Sequence, residues 1–299
     1  MVHWPHSERC LLPTRLSAQR SKDFLSPTSV TYHCRKMWAR ALEVDGYAVV
    51  PGVLTPSERT RFRRQALDEA VRLAHMHHSK TLWDLRTLPS VRRLFEEWWG
   101  CTDLISGFDG MSRRLRGSDD YLAIDWHVDQ DHTHPPGCCC VQALVALSDS
   151  TGESGTIEFV RGSHHAHQDL VWRLCRAEDA ELDGTEGAWE FVPIAAGDPI
   201  LCGDVVQPCV RAGDVVLWDA RTVHRVVRPG GMAPRLVAYV CHVPRSFADD
   251  VTLQRRRKFF DEGVATTHWP HRLVDRGDER APLSRAIGSD VPQAVWALV

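Results

Sequence analysis

The chain has 299 residues, of which 43% are hydrophobic and 25% are charged, and its formal net charge is −3. This balance gives no electrostatic basis for binding nucleic acid or an acidic membrane surface. No apolar run approaches the roughly 20 residues that span a bilayer. We therefore expect a protein without a membrane segment, folded around a large core.

Residues 1–35 contain many Ser, Thr, Pro and Arg residues and show no sustained hydrophobic period. This composition predicts a poorly ordered tail ahead of a single domain over residues 36–299. Because the tail lacks the apolar stretch of a secretory signal, we expect an intracellular, cytoplasmic protein with reduced cysteines. A mitochondrial transit peptide is the alternative, since such segments are also rich in Arg and Ser.

The pattern of residues 36–100 predicts mostly helix, preceded by one strand at Tyr47–Val50. In "TPSE", Thr55 stands at the N-cap position, a proline follows, and Glu58 comes three residues after the cap. This arrangement is the signature of a capping box and predicts that a helix begins here. The segment "LPSVRRLFEEWW", residues 88–99, predicts another helix.

From residue 120 the hydrophobic period changes to that of short strands, such as "VQALVALSD", "GTIEFV" and "GDVVLW". Several short strands at this spacing favour a sandwich or barrel over βαβ units. We predict a β core over about residues 120–245, followed by a helix that ends at Gly263. The polar segment 165–188 is expected to be an insertion or lid. The stretch "TTHWPHRL" is expected to cover one end of the barrel, with Trp269 in a packing role.

The stretch "DWHVDQ" carries the first candidate metal ligands. On a strand, His127 and Asp129 point to the same face. A third ligand is His224 in "DARTVHRVV", where Asp219 and Arg221 are interpreted as a structural pair that positions it. Two histidines and one carboxylate leave three positions of an octahedron open, which is the ligand set of non-haem Fe(II) oxygenases. The H-x-D spacing alone is a weak signal.

Arg235 opens the apolar strand "RLVAYV" and is the candidate cosubstrate anchor. A buried arginine offers a carboxylate two parallel donors. It therefore suits a cosubstrate that chelates iron at one end and carries a free carboxylate at the other, such as 2-oxoglutarate. Gln142 on a neighbouring strand is a further candidate for the pocket and for cosubstrate binding. Arg113 and Arg114 are candidates for a second charge near cosubstrate or substrate, with Arg113 preferred as a cosubstrate-binding residue.

Taken in order, these pieces resemble the phytanoyl-CoA dioxygenase family of Fe(II)/2-oxoglutarate-dependent oxygenases. The matching segments are "WHVDQ", "VQALVALSDSTGESGTIEFVRGSHH", "AGDVVLWDARTVHRV" and "PRLVAYV", preceded by "LEVDGYAVVPGVLTPSE". The resemblance implies a double-stranded β-helix, or jelly-roll, with helices packed on one side. It also implies hydroxylation of a small molecule, with 2-oxoglutarate and O2 converted to succinate and CO2 and ascorbate as a candidate reductant.

The chain departs from the family pattern at two positions. Many relatives carry Ser or Thr two residues after the distal histidine, where this chain has Val226, and many carry Gln where it has Val128. These departures concern the cosubstrate contacts. In related halogenases a small residue replaces the carboxylate ligand, so Asp129 favours hydroxylation.

Two other functions stay open on the sequence. A non-catalytic jelly-roll that binds metal or senses a ligand would keep the fold without turnover. A zinc hydrolase could use the same three ligands, but it leaves Arg235 without a role. The sequence shows no acyl-CoA-binding signature, and it identifies neither the substrate nor the oligomeric state.

Overall fold

The computed structural model describes residues 37–73, 75–114, 123–178, 191–273 and 291–299. Those from Met37 onward belong to one compact unit. The predicted tail, residues 1–35, lies outside the described residues, so its order stays a prediction. None of the described helices is both long and apolar enough to cross a bilayer.

Four helices lie between residues 37 and 100 in the described part of the chain, and local sequence explains where the longest begins. Thr55 accepts a hydrogen bond from the Glu58 amide, and the Glu58 carboxylate accepts one from the Thr55 amide, which confirms the predicted capping box. The helices are α1, which runs to residue 45, α2 (Pro56–Arg72), α3 (Lys80–Thr87) and α4 (Pro89–Trp99). The helix predicted over 88–99 is confirmed as α4.

Within the described residues, eleven strands form two antiparallel sheets. The strands are β1 (Tyr47–Val50), β2 (Leu104–Ser106), β3 (Met111–Arg114), β4 (Ile124–Val128), β5 (Val141–Ala146), β6 (Thr156–Val160), β7 (Val192–Pro193), β8 (Val205–Val206), β9 (Val215–Asp219), β10 (His224–Val227) and β11 (Arg235–Pro244). The first sheet has the order β1-β9-β5-β11-β2, with β3 also paired to β11, and the second has the order β7-β4-β10-β6-β8. This is the predicted double-stranded β-helix.

The inner faces of the two sheets share one apolar cluster. Leu144 of β5 and Val237 of β11 lie in it with Ile157 and Phe159 of β6 from the other sheet. Phe159 also stacks on Tyr47, with 4.7 Å between ring centroids. Apolar side chains therefore line much of the space between the two sheets.

The outer face of the first sheet packs against the helices. Along β11, alternate residues Leu236, Ala238 and Val240 join a core cluster with Phe62 of α2 and Phe95 of α4. The alternation follows from the strand period of two. It confirms the prediction that helices cover one side of the β core.

The predicted insertion at 165–188 begins with a helix, α5 (His167–Glu178). Leu170 and Val171 of α5 pack with Trp126 and Val128 on the outer face of the second sheet. In its described part this segment is a helix that covers the outer face of the second sheet, so the expectation of an insertion or lid stays a prediction. Residues 179–190 lie outside the described residues.

The C-terminal part returns to the β core after helix α6 (Asp250–Glu262), which ends at Gly263 with φ 68°. A short helix α7 (Gln293–Trp296) follows near the end of the chain. We call residues 264–273 the return segment. Its Trp269 is 2% exposed and packs with Ile105, Cys140 and Val243, as predicted for a packing residue.

Candidate metal centre

The second sheet positions the two predicted histidines side by side. His127 of β4 lies directly opposite His224 of β10 in the antiparallel register. Trp126 and Val128, on either side of His127, pack on the outer face of the sheet. His127 therefore points between the sheets, as strand alternation requires.

Asp129 follows β4 and joins the two histidines. Its Oδ1 lies 3.6 Å from His127 Nε2, and its Oδ2 lies 3.4 Å from His224 Nε2. Each of the three residues offers a ligand atom within 4.8 Å of the other two, and all three are buried. The structure thus brings the three predicted side chains together, while their role as metal ligands stays a prediction.

Main-chain carbonyls fix which nitrogen of each imidazole faces the centre. His127 Nδ1 donates to the Asp125 carbonyl at 2.6 Å, and His224 Nδ1 donates to the Thr222 carbonyl at 2.9 Å. A carbonyl only accepts, so Nδ1 carries the proton and the Nε2 lone pair points toward Asp129. Burial also lowers the pKa of His224 to about 4, which keeps this imidazole neutral at neutral pH.

The charge of the site fits a divalent cation. Burial alone raises the pKa of Asp129, but His268, His224, His127 and Gln142 outweigh burial and lower it. The site thus holds a carboxylate and two imidazole lone pairs away from solvent. A buried carboxylate is costly unless a cation meets it. Two histidines and one carboxylate are the donors that non-haem Fe(II) sites use.

Gln142 faces this centre from the first sheet. Its side-chain Nε2 donates a hydrogen bond to Asp129 Oδ2. Gln142 therefore faces the pocket as the sequence predicted, and its contact there is with the carboxylate. Its role in cosubstrate binding stays a prediction. Such an outer partner orients a metal-binding carboxylate.

Arg235 is 1% exposed and lies at the start of β11. It shares the inner face of the strand with Val237, which belongs to the cluster between the sheets. Its Nη1 donates to Ser112 Oγ at 2.7 Å. The predicted cosubstrate anchor is therefore directed into the space between the sheets.

The structure corrects the prediction for Arg113. This residue pairs in register with Leu236, whose side chain packs against the helices, so both lie on the outer face. Arg113 Nη1 donates to the Ala70 carbonyl of α2 at 2.5 Å. It is Arg114 that lies opposite Arg235 and shares its face.

Asp219 and Arg221 form the predicted structural pair ahead of His224. Arg221 Nη2 lies 2.7 Å from Asp219 Oδ2, and Arg221 Nε donates to Asp219 Oδ1 at 2.9 Å. The pair closes the turn that leads into β10. It holds the backbone near Thr222, whose carbonyl orients His224.

One site residue was missed by the sequence interpretation. His268 of the return segment is 8% exposed, and its Nε2 lies 3.8 Å from Asp129 Oδ1. Its position beside Trp269, in a stretch expected to cover one end of the barrel, could have indicated that it lies near the site. The sequence analysis assigned that stretch only a packing role.

Comparisons with known proteins agree with this fold. Ava biosynthesis cluster protein O of Aspergillus versicolor is 27% identical over 201 residues, which cover 66% of this chain and 65% of that protein. The chain thus spans less than two thirds of that relative.

A solved structure of the epimerase SnoN in complex with Fe3+, alpha ketoglutarate and nogalamycin RO superposes with a TM-score of 0.55 at 22% identity. A second SnoN structure, described as a non-heme alpha ketoglutarate dependent epimerase from nogalamycin biosynthesis, gives a TM-score of 0.53 at 23% identity. Each covers 71% of this chain and 84% of the other. At these identities the likeness shows a shared fold.

The phytanoyl-CoA dioxygenase family model matches residues 42–226, more than half of the chain. The matched range includes all three residues of the candidate metal centre. The chain therefore belongs to the phytanoyl-CoA dioxygenase family.

Proposed function

We propose that the protein is an Fe(II)- and 2-oxoglutarate-dependent oxygenase that oxidises a C–H bond of a small organic molecule. The observation that carries this proposal is the buried meeting of His127, Asp129 and His224, with both imidazoles held in the ligand tautomer by backbone carbonyls. Membership of the family supports the same activity.

The three side chains would hold the iron. Bound iron supplies the activation of O2, coupled to conversion of 2-oxoglutarate to succinate and CO2. The part of this chain would be to hold the metal with three side chains and to leave it accessible to cosubstrate and O2. Gln142 would keep Asp129 oriented as one of these three.

Arg235 would bind the far carboxylate of 2-oxoglutarate. A guanidinium that is 1% exposed requires an anionic or hydrogen-bonding environment. Ser112 supplies one acceptor, and the planar fork of arginine suits a carboxylate. Val226 offers no hydroxyl where many relatives have one, so more of the cosubstrate binding falls on Arg235.

Aromatic side chains would limit water around the reacting centre. The Phe159, Trp218 and Phe191 rings lie 6.1, 5.6 and 5.0 Å from the nearest ligand imidazole, measured between ring centroids. An apolar wall strengthens the electrostatic contacts inside it and excludes competing reactions with water.

The substrate class is inferred from the candidate metal ligands of this chain and from the names of similar proteins. The curated relative is named for a biosynthesis cluster, one SnoN structure is described as a complex with nogalamycin RO, and the other as coming from nogalamycin biosynthesis. We infer a small natural-product-like molecule, with hydroxylation as the expected outcome because Asp129 is present. The intracellular, cytoplasmic location rests on the sequence alone, and so does the expectation of neither nucleic-acid nor membrane partners.

The test is turnover of 2-oxoglutarate. Purified protein, supplied with Fe(II), ascorbate and O2, is incubated with metabolite extracts. We expect succinate to form and at least one compound to gain one oxygen atom. Binding of Fe(II) and 2-oxoglutarate without succinate under any extract would favour the non-catalytic alternative. Loss of two hydrogens or a change of stereochemistry would keep the oxygenase and reject hydroxylation.

A further inference from the structure

The return segment brings a fourth imidazole to the candidate metal centre. His268 Nε2 lies 3.8 Å from Asp129 Oδ1, on the oxygen that Gln142 does not contact. Gln142 comes from β5 and His268 from beyond α6. The carboxylate therefore has one polar neighbour at each oxygen, in addition to the two histidines of the centre.

His268 Nε2 is a buried polar atom that makes no hydrogen bond within the part of the chain that the structure describes. Leaving such a group without a partner costs about 1–3 kcal/mol. The distance of 3.8 Å exceeds a hydrogen bond, and a shift of less than about 1 Å closes it. The His268 imidazole therefore lies beside Asp129 Oδ1, just outside hydrogen-bonding distance.

The backbone around His268 is firmly held. Its carbonyl accepts from Cys140 Sγ at 3.6 Å, and the Pro270 carbonyl accepts from the buried guanidinium of Arg256 at 2.6 Å. Thr266 exchanges hydrogen bonds with the backbone of Phe108. The packing of Trp269 does not itself require an imidazole at the neighbouring position.

We propose that His268 is a positioning residue of the metal centre, whose Nε2–H holds Oδ1 of Asp129 while Gln142 holds Oδ2. Each carboxylate oxygen has two acceptor sites, so one can bind a metal ion and still accept a hydrogen bond. Held from both oxygens, Asp129 cannot rotate away from the metal. The inference rests on the proposed function, because it assigns His268 to that same metal site.

The test measures metal affinity, with Co(II) as an oxygen-stable probe. His268→Phe keeps a ring beside Trp269, which lies 5.1 Å away between centroids, and removes the donor. We expect Co(II) affinity to fall about 10–100-fold, the usual effect of losing an outer partner of a ligand. His268→Gln keeps a donor and is expected to stay within about 3-fold of wild type on the same scale.

His271→Leu is the matched control. His271 belongs to the same segment and packs against Trp269 and Phe247. We expect it to leave Co(II) affinity unchanged. If His268→Phe is recovered unfolded, as judged by circular dichroism, His268→Leu supplies the same comparison.

Different failures have different meanings. If the wild-type protein binds no divalent metal, the proposed function fails. If it binds metal and the donor-free His268 variants bind equally well, only the role of His268 is overturned. Electron paramagnetic resonance of the Cu(II) form counts the nitrogen ligands. Loss of one nitrogen in His268→Phe would also overturn the assignment, because His268 would then be a ligand itself.

Discussion

The side-chain amide of Gln142 hydrogen-bonds Oδ2 of Asp129, the oxygen that lies 3.4 Å from Nε2 of His224. Gln142 belongs to the first sheet, and Asp129 follows a strand of the second. The contact therefore joins the two sheets at the candidate metal centre. The position of the carboxylate depends on how the sheets pack, as well as on its own strand.

Replacement of Gln142 by leucine is expected to weaken metal binding. The variant leaves Oδ2 without its donor, so Asp129 is less well oriented, and we expect the Co(II) dissociation constant to rise about 10–100-fold. Titration calorimetry measures it. Gln65→Leu is the control, since Gln65 donates to Asp84 in a similar amide–carboxylate contact away from the site. Equal Co(II) affinity in Gln142→Leu and wild type would contradict the orienting role.

Replacement of Asp129 by alanine is expected to abolish metal binding and turnover but to keep the fold. Loss of a direct ligand should lower Co(II) affinity by more than about 100-fold, beyond the effect of an outer partner. Titration calorimetry measures Co(II) affinity, succinate release measures turnover, and circular dichroism checks the fold. Asp125→Ala is the control, because it is the main-chain carbonyl of Asp125 that holds His127. Wild-type turnover in Asp129→Ala would show that Asp129 is not a metal ligand.

Replacement of Arg235 by lysine is expected to raise the KM for 2-oxoglutarate at least about 10-fold, since lysine lacks the two-donor fork. Co(II) affinity should stay within about 2-fold, because Arg235 is not among the three candidate ligands and the substitution keeps its positive charge. Arg113→Lys is the matched control on the outer face, and it also tests the correction made for that residue. A larger KM effect in Arg113→Lys than in Arg235→Lys would reverse the two assignments.

The metal-free protein is expected to lose stability as the pH falls from 7.5 to 5.5. Burial lowers the pKa of His78 and of His242 to about 3, from 6.5 in the unfolded chain. Below pH 6.5 the unfolded state therefore binds protons that the folded state does not, so acid favours unfolding until about pH 3. Across this range each histidine contributes about 1–2 kcal/mol.

Urea denaturation at the two pH values measures this effect. His242→Phe should reduce the pH-dependent change in the free energy of unfolding by about 1–2 kcal/mol, whatever its effect on stability at pH 7.5. His132→Gln, at an exposed position, should leave the change as it is in wild type. A wild-type pH dependence in His242→Phe would show that His242 does not contribute.

The local part of the site was predictable from the sequence. Strand alternation placed His127 and Asp129 on one face, and the capping residues fixed where α2 begins. The family pattern supplied His224 and Arg235. Each of these placements depends on neighbouring residues or on a motif. The structure brings His127, Asp129 and His224 together, while their role as ligands and that of Arg235 as an anchor stay predictions.

The rest depends on contacts between distant parts of the chain. Arg113 and Arg114 lie on opposite faces of a short strand. Which of them faces the space between the sheets is set by the register of β3 against β11. His268 reaches Asp129 only after α6 returns the chain to the β core. Hydrophobic periodicity in the sequence predicts neither the register of β3 on β11 nor the approach of His268 to Asp129.

The hydrogen bonds of His127 and His224 to main-chain carbonyls have a consequence for how the candidate metal centre tolerates sequence change. The acceptors are the carbonyls of Asp125 and Thr222, each two residues before its histidine. A carbonyl survives any exchange of the side chain that shares its residue. Side chains at these two positions can therefore change without removing the hydrogen bonds that orient His127 and His224.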